Sequence, residues 1–94
     1  MYNKKCMELI EEKATPKRLD NVFSILEILL ENENNPRLDR KIIAKELGLS
    51  WNGSEGSTAR LISRELQLLV DLNIIKRLDP PHCIIVEFNK DYFN

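Results

Sequence analysis

The sequence has 94 residues, of which 43% are apolar and 31% are charged, and its formal net charge is −1. This length and composition predict one globular domain over residues 1–94 and exclude a disordered or fibrous protein. The longest apolar runs span only a few residues, far below the roughly 20 that a membrane helix needs, and the first residues lack an apolar signal core. We therefore expect a cytoplasmic protein with no membrane partner.

Residue types that carry enzymatic or metal chemistry are scarce. Cys6 and Cys83 are the only cysteines and His82 is the only histidine, so a zinc site of the usual ligand spacing is not expected. Adjacent residues on a strand point to opposite faces, so His82 and Cys83 would not meet as base and nucleophile. No glycine-rich phosphate loop is present. We predict that the protein is not an enzyme and holds no cofactor or metal.

Positive charge is concentrated in the middle of the chain. Residues 37–64 hold six Lys or Arg and three Asp or Glu, whereas acidic residues outnumber basic ones both before and after this segment. Salt screens charges beyond about 8 to 10 Å, so a basic surface can act independently of acidic residues on the far side. A phosphate-binding surface is therefore compatible with the near-neutral net charge.

Apolar periodicity predicts two helices in the first third of the chain. Residues 3–13 form a short amphipathic pattern. Thr15 is suited to cap the next helix and Pro16 to its first position. This second helix should run to about Glu33, and its wide apolar stripe predicts a central place in the fold.

Two further helices are predicted, one before Gly48 and one after it. Asp39 is suited to cap a short third helix over residues 40–47, and Gly48 should end it in the left-handed conformation. The fourth helix should begin near Ser57, or one turn earlier at Ser54, and continue to about residue 72.

Two β-branched segments follow, NIIKRL and CIIVEF, separated by DPPH. They predict a hairpin with a proline-stiffened tip. The predicted fold class is mainly α with a C-terminal β-hairpin. Its parts are an N-terminal helix within residues 1–14, a helical core over 15–72 and the hairpin over 73–88.

This order of elements resembles the winged helix-turn-helix superfamily over residues 38–88. LDRKIIAKELGLS is similar to the second helix and turn of that superfamily, with Ala44, Gly48 and Leu49 in the small, turn and anchor positions. STARLISRELQLLVDLNIIKRL is similar to its recognition helix and first wing strand. In the order of its helices and wing, the chain is similar to small PadR-like regulators or to archaeal or plasmid DNA-binding proteins. Asn73 stands where glycine is common, and WNGSEG is longer than the usual connection.

Projection of residues 57–72 at 100° per residue separates two faces of the fourth helix. One face is apolar, and the other carries Arg60, Arg64, Gln67 and Asp71. Arginine can bond guanine and glutamine can bond adenine in the major groove, which admits a helix. The predicted DNA contacts on this helix are Ser57, Thr58, Arg60, Ser63, Arg64 and Gln67. A solvated helix face is the alternative interpretation.

Other residues are predicted to bind DNA phosphates and so position the protein without reading sequence. They lie near the third helix and the following loop, and they are Arg37, Arg40, Lys41, Lys45, Ser50, Trp51 and Asn52. For Trp51 the alternative is packing over the core. Lys76, Arg77 and His82 are the predicted wing contacts. Glu65 and Asp71 would repel phosphates, so we expect the C-terminal half of the fourth helix to point away from the duplex.

The resemblance implies sequence-specific binding of double-stranded DNA, most simply by a transcriptional regulator that is nucleoid-associated when bound. Leu61, Leu68 and Leu72 form a second apolar strip that needs a cover, and twofold dimers are common among such proteins. We therefore expect a homodimer through the first and second helices. Two alternatives remain open. One is a plasmid centromere-binding protein that spreads on DNA and works with a partner protein, and the other is a winged helix used for protein contact.

Overall fold

A computed structural model of the chain describes residues 1–78 and 83–94. The predicted class, mainly helical with a small C-terminal antiparallel sheet, is confirmed, and every predicted helix is present within two residues of its expected ends. In chain order the elements are helices α1 Lys4–Lys13, α2 Pro16–Glu31, α3 Arg40–Glu46 and α4 Ser57–Asp71, strands β1 Ile75–Arg77 and β2 Val86–Phe88, and a 3-10 turn Lys90–Tyr92.

The helix starts differ in how they are capped. Asp39 Oδ1 accepts from the Ile42 amide at 2.8 Å, as predicted for α3. Thr15 occupies the cap position of α2, but its hydroxyl makes no capping hydrogen bond, so that part of the prediction is wrong. Pro16 does stand in the first turn, where it has no amide to satisfy. For α1 the cap is Asn3, whose Oδ1 accepts from the Cys6 amide at 3.0 Å.

Left-handed residues reverse the chain after α3 and after α4. Gly48 has φ of 73° and Asn73 has φ of 61°, so asparagine takes the conformation that glycine commonly supplies there. Leu49 is 37% exposed and is therefore not the buried anchor that the resemblance implied. Leu47, one position before the turn, packs against the core instead.

The apolar core forms where α2 packs against the three other helices. Apolar residues at the i, i+3, i+4 spacing form one stripe along each helix. These stripes face one another, so each buried side chain has apolar neighbours on the other helices. The largest apolar side chains that are almost completely buried are Ile10, Ile25, Leu26, Leu29, Leu38, Ile43, Ile62, Leu66, Leu69, Ile74 and Ile75.

The two strands pair over three residues each, with Ile75 opposite Phe88 and Arg77 opposite Val86. The second predicted strand segment began at Cys83, whereas β2 begins at Val86. The Ile84 amide donates to the Leu38 carbonyl at 2.7 Å, which joins the residues before β2 to the segment before α3. Beyond β1, the Leu78 amide donates to the Ile85 carbonyl at 2.9 Å, so the hydrogen bonding between the two segments continues one residue past the strand. The predicted hairpin tip, including His82, lies outside the described residues.

The two ends of the chain meet in an antiparallel bridge between Tyr2 and Phe93. The Asn3 amide donates to the Tyr92 carbonyl at 2.9 Å, and the Tyr2 and Phe23 rings stack at 5.6 Å between centroids. These contacts hold α1 against the body, where Cys6 is completely buried. Burial raises the pKa of the Cys6 thiol to about 11, so this cysteine is a protonated apolar side chain at neutral pH.

Candidate nucleic-acid interface

The side of α4 that faces solvent carries Ser57, Arg60, Arg64, Gln67 and Asp71, which we call the outer face of α4. All five residues are exposed. The opposite side is completely buried and consists of Ala59, Ile62, Leu66 and Leu69. The predicted division of this helix into an apolar face and an exposed face is confirmed. Its role in binding DNA stays a prediction.

The polar side chains of the outer face differ in how far they are held by the protein itself. Within residues 1–78 and 83–94, Arg60 forms no side-chain hydrogen bond or ion pair, so its guanidinium is available to a ligand. Arg64 is 55% exposed and its Nη2 lies 3.4 Å from Glu65 Oε2. Gln67 Nε2 donates to Asp71 Oδ1 at 2.8 Å, which leaves the Gln67 carbonyl oxygen to accept.

Glu65, which was predicted to repel phosphates if it came close to them, lies inside the protein. It is 0% exposed, and Arg18 Nε from α2 donates to both of its oxygens, at 2.9 Å and 3.3 Å. The hydrogen bond with Glu65 is the main reason that the pKa of Arg18 is raised above its ordinary value. Of the two carboxylates predicted to repel phosphates, only Asp71 is exposed.

The Arg18 contact is a feature that sequence reasoning missed. The available signal was the position of Glu65, whose neighbours one turn away on the helix are Leu61, Ile62, Leu68 and Leu69. A charged residue inside an apolar arc is rarely buried without an opposite charge. The partner itself is 47 residues away in the chain, so helical periodicity could not identify it.

A second polar contact joins α3 to α4. Arg40 Nη1 donates to Ser63 Oγ at 2.9 Å, and both residues are half-buried. The structure thus brings together a predicted phosphate contact and a predicted contact of α4. One guanidinium nitrogen of Arg40 is therefore engaged in holding α4 against α3.

The long connection before α4 folds back onto the start of that helix. Asn52 Nδ2 donates to Ser57 Oγ at 3.1 Å, and the Thr58 amide donates to Asn52 Oδ1 at 3.4 Å. Thr58 Oγ1 also donates to the Ser50 carbonyl at 2.8 Å. Asn52 therefore supplies the acceptor that the cap residue Gly56 lacks. Four predicted DNA contacts are brought together here, but they bond to one another.

Replacing Gly56 with alanine should destabilise this connection. A Cβ atom at Gly56 would lie 2.6 Å from the Asn52 carbonyl oxygen and 2.1 Å from Asn52 Oδ1, so the loop must shift. We expect a loss of about 1 to 3 kcal/mol in the free energy of unfolding, measured by urea denaturation, as for other overpacked sites. Ser54→Ala, at an exposed position of the same loop, is the control and should be close to wild type. Equal stability of the two variants would show that the close approach of Asn52 to Gly56 does not limit the side chain at this position.

A shallow groove of about 290 Å³ lies between α3 and the sheet. It brings together four of the predicted backbone and wing contacts, Arg40, Lys41, Trp51 and Arg77, and it is also lined by Asp39, Cys83 and Ile84. Trp51 is half-buried and packs against the core, which agrees with the alternative interpretation of this residue. The groove therefore combines cationic side chains with part of an indole ring.

The remaining predicted contacts are dispersed. Arg37, Lys45 and Lys76 are exposed, and in the described part of the chain no side-chain hydrogen bond or ion pair joins them to the outer face of α4. Lys76 lies opposite Glu87 in the sheet. His82 is outside the described residues.

Much of the apolar surface predicted to form a dimer is used within one chain. Cys6 and Ile10 of α1 are completely buried, as is most of the apolar stripe of α2. The second strip of α4, Leu61, Leu68 and Leu72, is half-buried against the same core. A dimer through α1 and α2 would have to use side chains such as Met7, which is 42% exposed.

Among the described residues, no three or more His, Cys, Asp or Glu side chains are grouped so that they could hold a metal ion. In this same part of the chain, no helix has both the length and the apolarity needed to cross a membrane. Comparison with protein-family models, with curated proteins and with solved structures gives no match. A functional assignment therefore rests on the geometry of α4 and its neighbours.

Proposed function

We propose that this protein is a winged helix that binds double-stranded DNA through the outer face of α4. The observation that carries the proposal is the pair Arg60 and Arg64, exposed on a helix whose other face is completely buried. Arginine bonds guanine bidentately in the major groove and also bonds phosphates, and the groove is wide enough for a helix.

The order of elements supports the winged-helix part of the proposal. A short helix, a left-handed turn at Gly48 and a longer helix are followed by a paired two-stranded sheet. In this arrangement α4 is the recognition helix and the sheet is the wing. The groove with Arg40, Lys41 and Arg77 lies between α3 and the sheet and would accept phosphates beside the base contacts.

The manner in which α4 is held supports a binding role. Glu65 is bonded to Arg18 of α2, and Ser63 is bonded to Arg40 of α3, so the helix is fixed from two directions. A rigid helix loses less conformational entropy when it binds than a mobile one. Arg60 and Arg64 are thus presented on a preorganised support.

We propose that the protein works as a homodimer and regulates transcription. Two copies of α4 would then read half-sites about one turn of DNA apart. The second use of the same interface is a plasmid partition complex, in which the protein would spread from its site and act with a partner protein. Footprinting separates the two uses, because a regulator protects a site of fixed length and a spreading protein extends protection as its concentration rises.

A protein-binding winged helix is the second candidate function. The net charge of −1 and the exposed Asp71 on the outer face favour it. In that case Arg60 and Arg64 would meet acidic side chains of another protein rather than phosphates.

Salt dependence of duplex binding tests the proposed function. We expect log Kd to rise steeply with log salt, with a slope of roughly 0.9 per phosphate neutralised, as measured by fluorescence anisotropy with a labelled duplex. Arg64→Gln should lower the slope by the equivalent of about one phosphate per subunit, whereas Lys13→Gln on α1 should leave it unchanged. Weak binding that does not change with salt would favour the protein-contact function.

A further inference from the structure

Arg64 lies between two possible partners. It is 55% exposed on the outer face of α4, and its Nη2 is 3.4 Å from Glu65 Oε2, the oxygen of a completely buried carboxylate. A contact of this length is weaker than a normal charge-assisted hydrogen bond. A guanidinium that bonds a phosphate or a base edge must turn toward the duplex, and for Arg64 this competes with its contact with Glu65.

The buried carboxylate is already neutralised from the other side. Arg18 Nε donates to Oε1 at 2.9 Å and to Oε2 at 3.3 Å, and Arg18 Nη2 donates to Oε1 as well. One negative charge is therefore shared by two guanidinium groups, and the closer of them is Arg18. The second positive charge, that of Arg64, is in excess over what the carboxylate needs.

Removal of Arg18 would change the partner of Glu65. A buried charge without a counter-ion is strongly unfavourable, so the carboxylate would be stabilised only by drawing Arg64 closer. Arg64 would then be held at the surface of its own protein. The contribution of Arg64 to a phosphate or base contact thus depends on a residue of α2.

We propose that Arg18 is a positioning residue for DNA binding, which acts by neutralising Glu65 and so leaves Arg64 available to the duplex. The inference rests on the proposed function of α4. Arg18 itself lies on α2 with its side chain 25% exposed and bonded to Glu65 rather than directed to a ligand.

Affinity for a labelled mixed-sequence duplex at low salt tests the proposal. At a temperature where circular dichroism shows each variant to be folded, Arg18→Gln should raise Kd about tenfold, because Arg64 must break a strong charge-assisted bond. Lys17→Gln is the matched control, since it removes the same charge from the neighbouring position of α2. A Kd for Arg18→Gln equal to that of wild type or of Lys17→Gln would overturn the proposal.

Two further variants separate positioning from a merely structural role. Arg18→Lys keeps the positive charge and should keep most of the affinity. The double variant Arg18→Gln/Glu65→Gln removes the carboxylate that captures Arg64, so it should bind more tightly than Arg18→Gln alone. A double variant that binds no better than the single one would overturn the proposal. If Arg18→Gln does not fold, Glu65→Gln alone decides, because the proposal requires it to bind at least as tightly as wild type.

A measurement without DNA distinguishes failure of this proposal from failure of the proposed function. Exchange of the Arg64 guanidinium protons with water, followed by NMR in the free protein, should be slower in Arg18→Gln than in wild type. Unchanged exchange would show that Arg64 is not captured and would overturn the proposal. A wild-type protein that binds no duplex would instead reject the proposed function, and with it the role assigned to Arg18 in binding.

Discussion

Replacing Arg60 with alanine should weaken binding to a specific duplex by about 1 to 3 kcal/mol, and replacing Arg64 should have an effect of similar size. Within that range, the loss of binding free energy should be somewhat larger for Arg60→Ala than for Arg64→Ala. Within the described residues the Arg60 guanidinium has no protein partner that it must leave before it binds DNA. For Arg64, binding to DNA competes with its contact with Glu65. A duplex selected from a random pool is the substrate for this measurement, since effects on base contacts are visible only at a specific site.

Asp71→Asn provides the control on the same face of α4. Asp71 is exposed and bonded to Gln67, and removing its negative charge should leave affinity unchanged or raise it slightly. If both alanine variants are folded and bind the duplex as tightly as wild type, the DNA interface lies elsewhere on the molecule.

Replacing Arg18 with methionine should lower the free energy of unfolding by about 3 kcal/mol, because it removes the main counter-ion of a buried carboxylate. Glu65 is 0% exposed and would retain only Arg64, whose nitrogen lies 3.4 Å away at the surface. Urea denaturation at neutral pH measures this change.

The double variant Arg18→Met/Glu65→Leu separates the burial of a charge from the loss of packing. When both partners of a buried ion pair become apolar, stability is usually unchanged or increased. We therefore expect the double variant to be close to wild type and clearly more stable than Arg18→Met. Equal instability of the two variants would show that the arginine stem stabilises the protein by packing rather than by its charge.

The helices were predictable from sequence because their signals are local. Apolar spacing, Asp39 at a helix start and Gly48 at a helix end act within one or two turns, and the structure places all of these features as expected. The two faces of α4 were predictable for the same reason. Helical projection needs only the residues of that helix.

Contacts between distant parts of the chain were not predictable in this way. The pairing of Glu65 with Arg18 depends on how α2 packs against α4, and periodicity within α4 carries no information about that packing. The bond from Arg40 to Ser63 is of the same kind. Arg40 and Ser63, both of which were predicted to contact DNA, therefore help to hold α4 in place.

Some predictions about the loops and the second strand were wrong or incomplete for a related reason. The side chain of Asn52 caps α4 only because the WNGSEG connection folds back, and the exposed Leu49 reflects the turn at Gly48 rather than its own apolar character. In the second β-branched segment, the Ile84 amide bonds the Leu38 carbonyl before α3, a partner far away in the chain. The bonds of Asn52 and Ile84 depend on how separate parts of the chain fold together, which propensity within one segment does not reveal.

The central claim is that α4 enters the duplex with its arginine-bearing side. The most direct test is an NMR titration in which a duplex that the protein binds is added to ¹⁵N-labelled protein. We predict that the largest shift changes fall on the amides of residues 57–67 and on the side chains of Arg60 and Arg64, while the turn at Lys90–Tyr92 changes little. Saturating duplex that leaves α4 unperturbed, or that shifts another surface more strongly, would contradict the account.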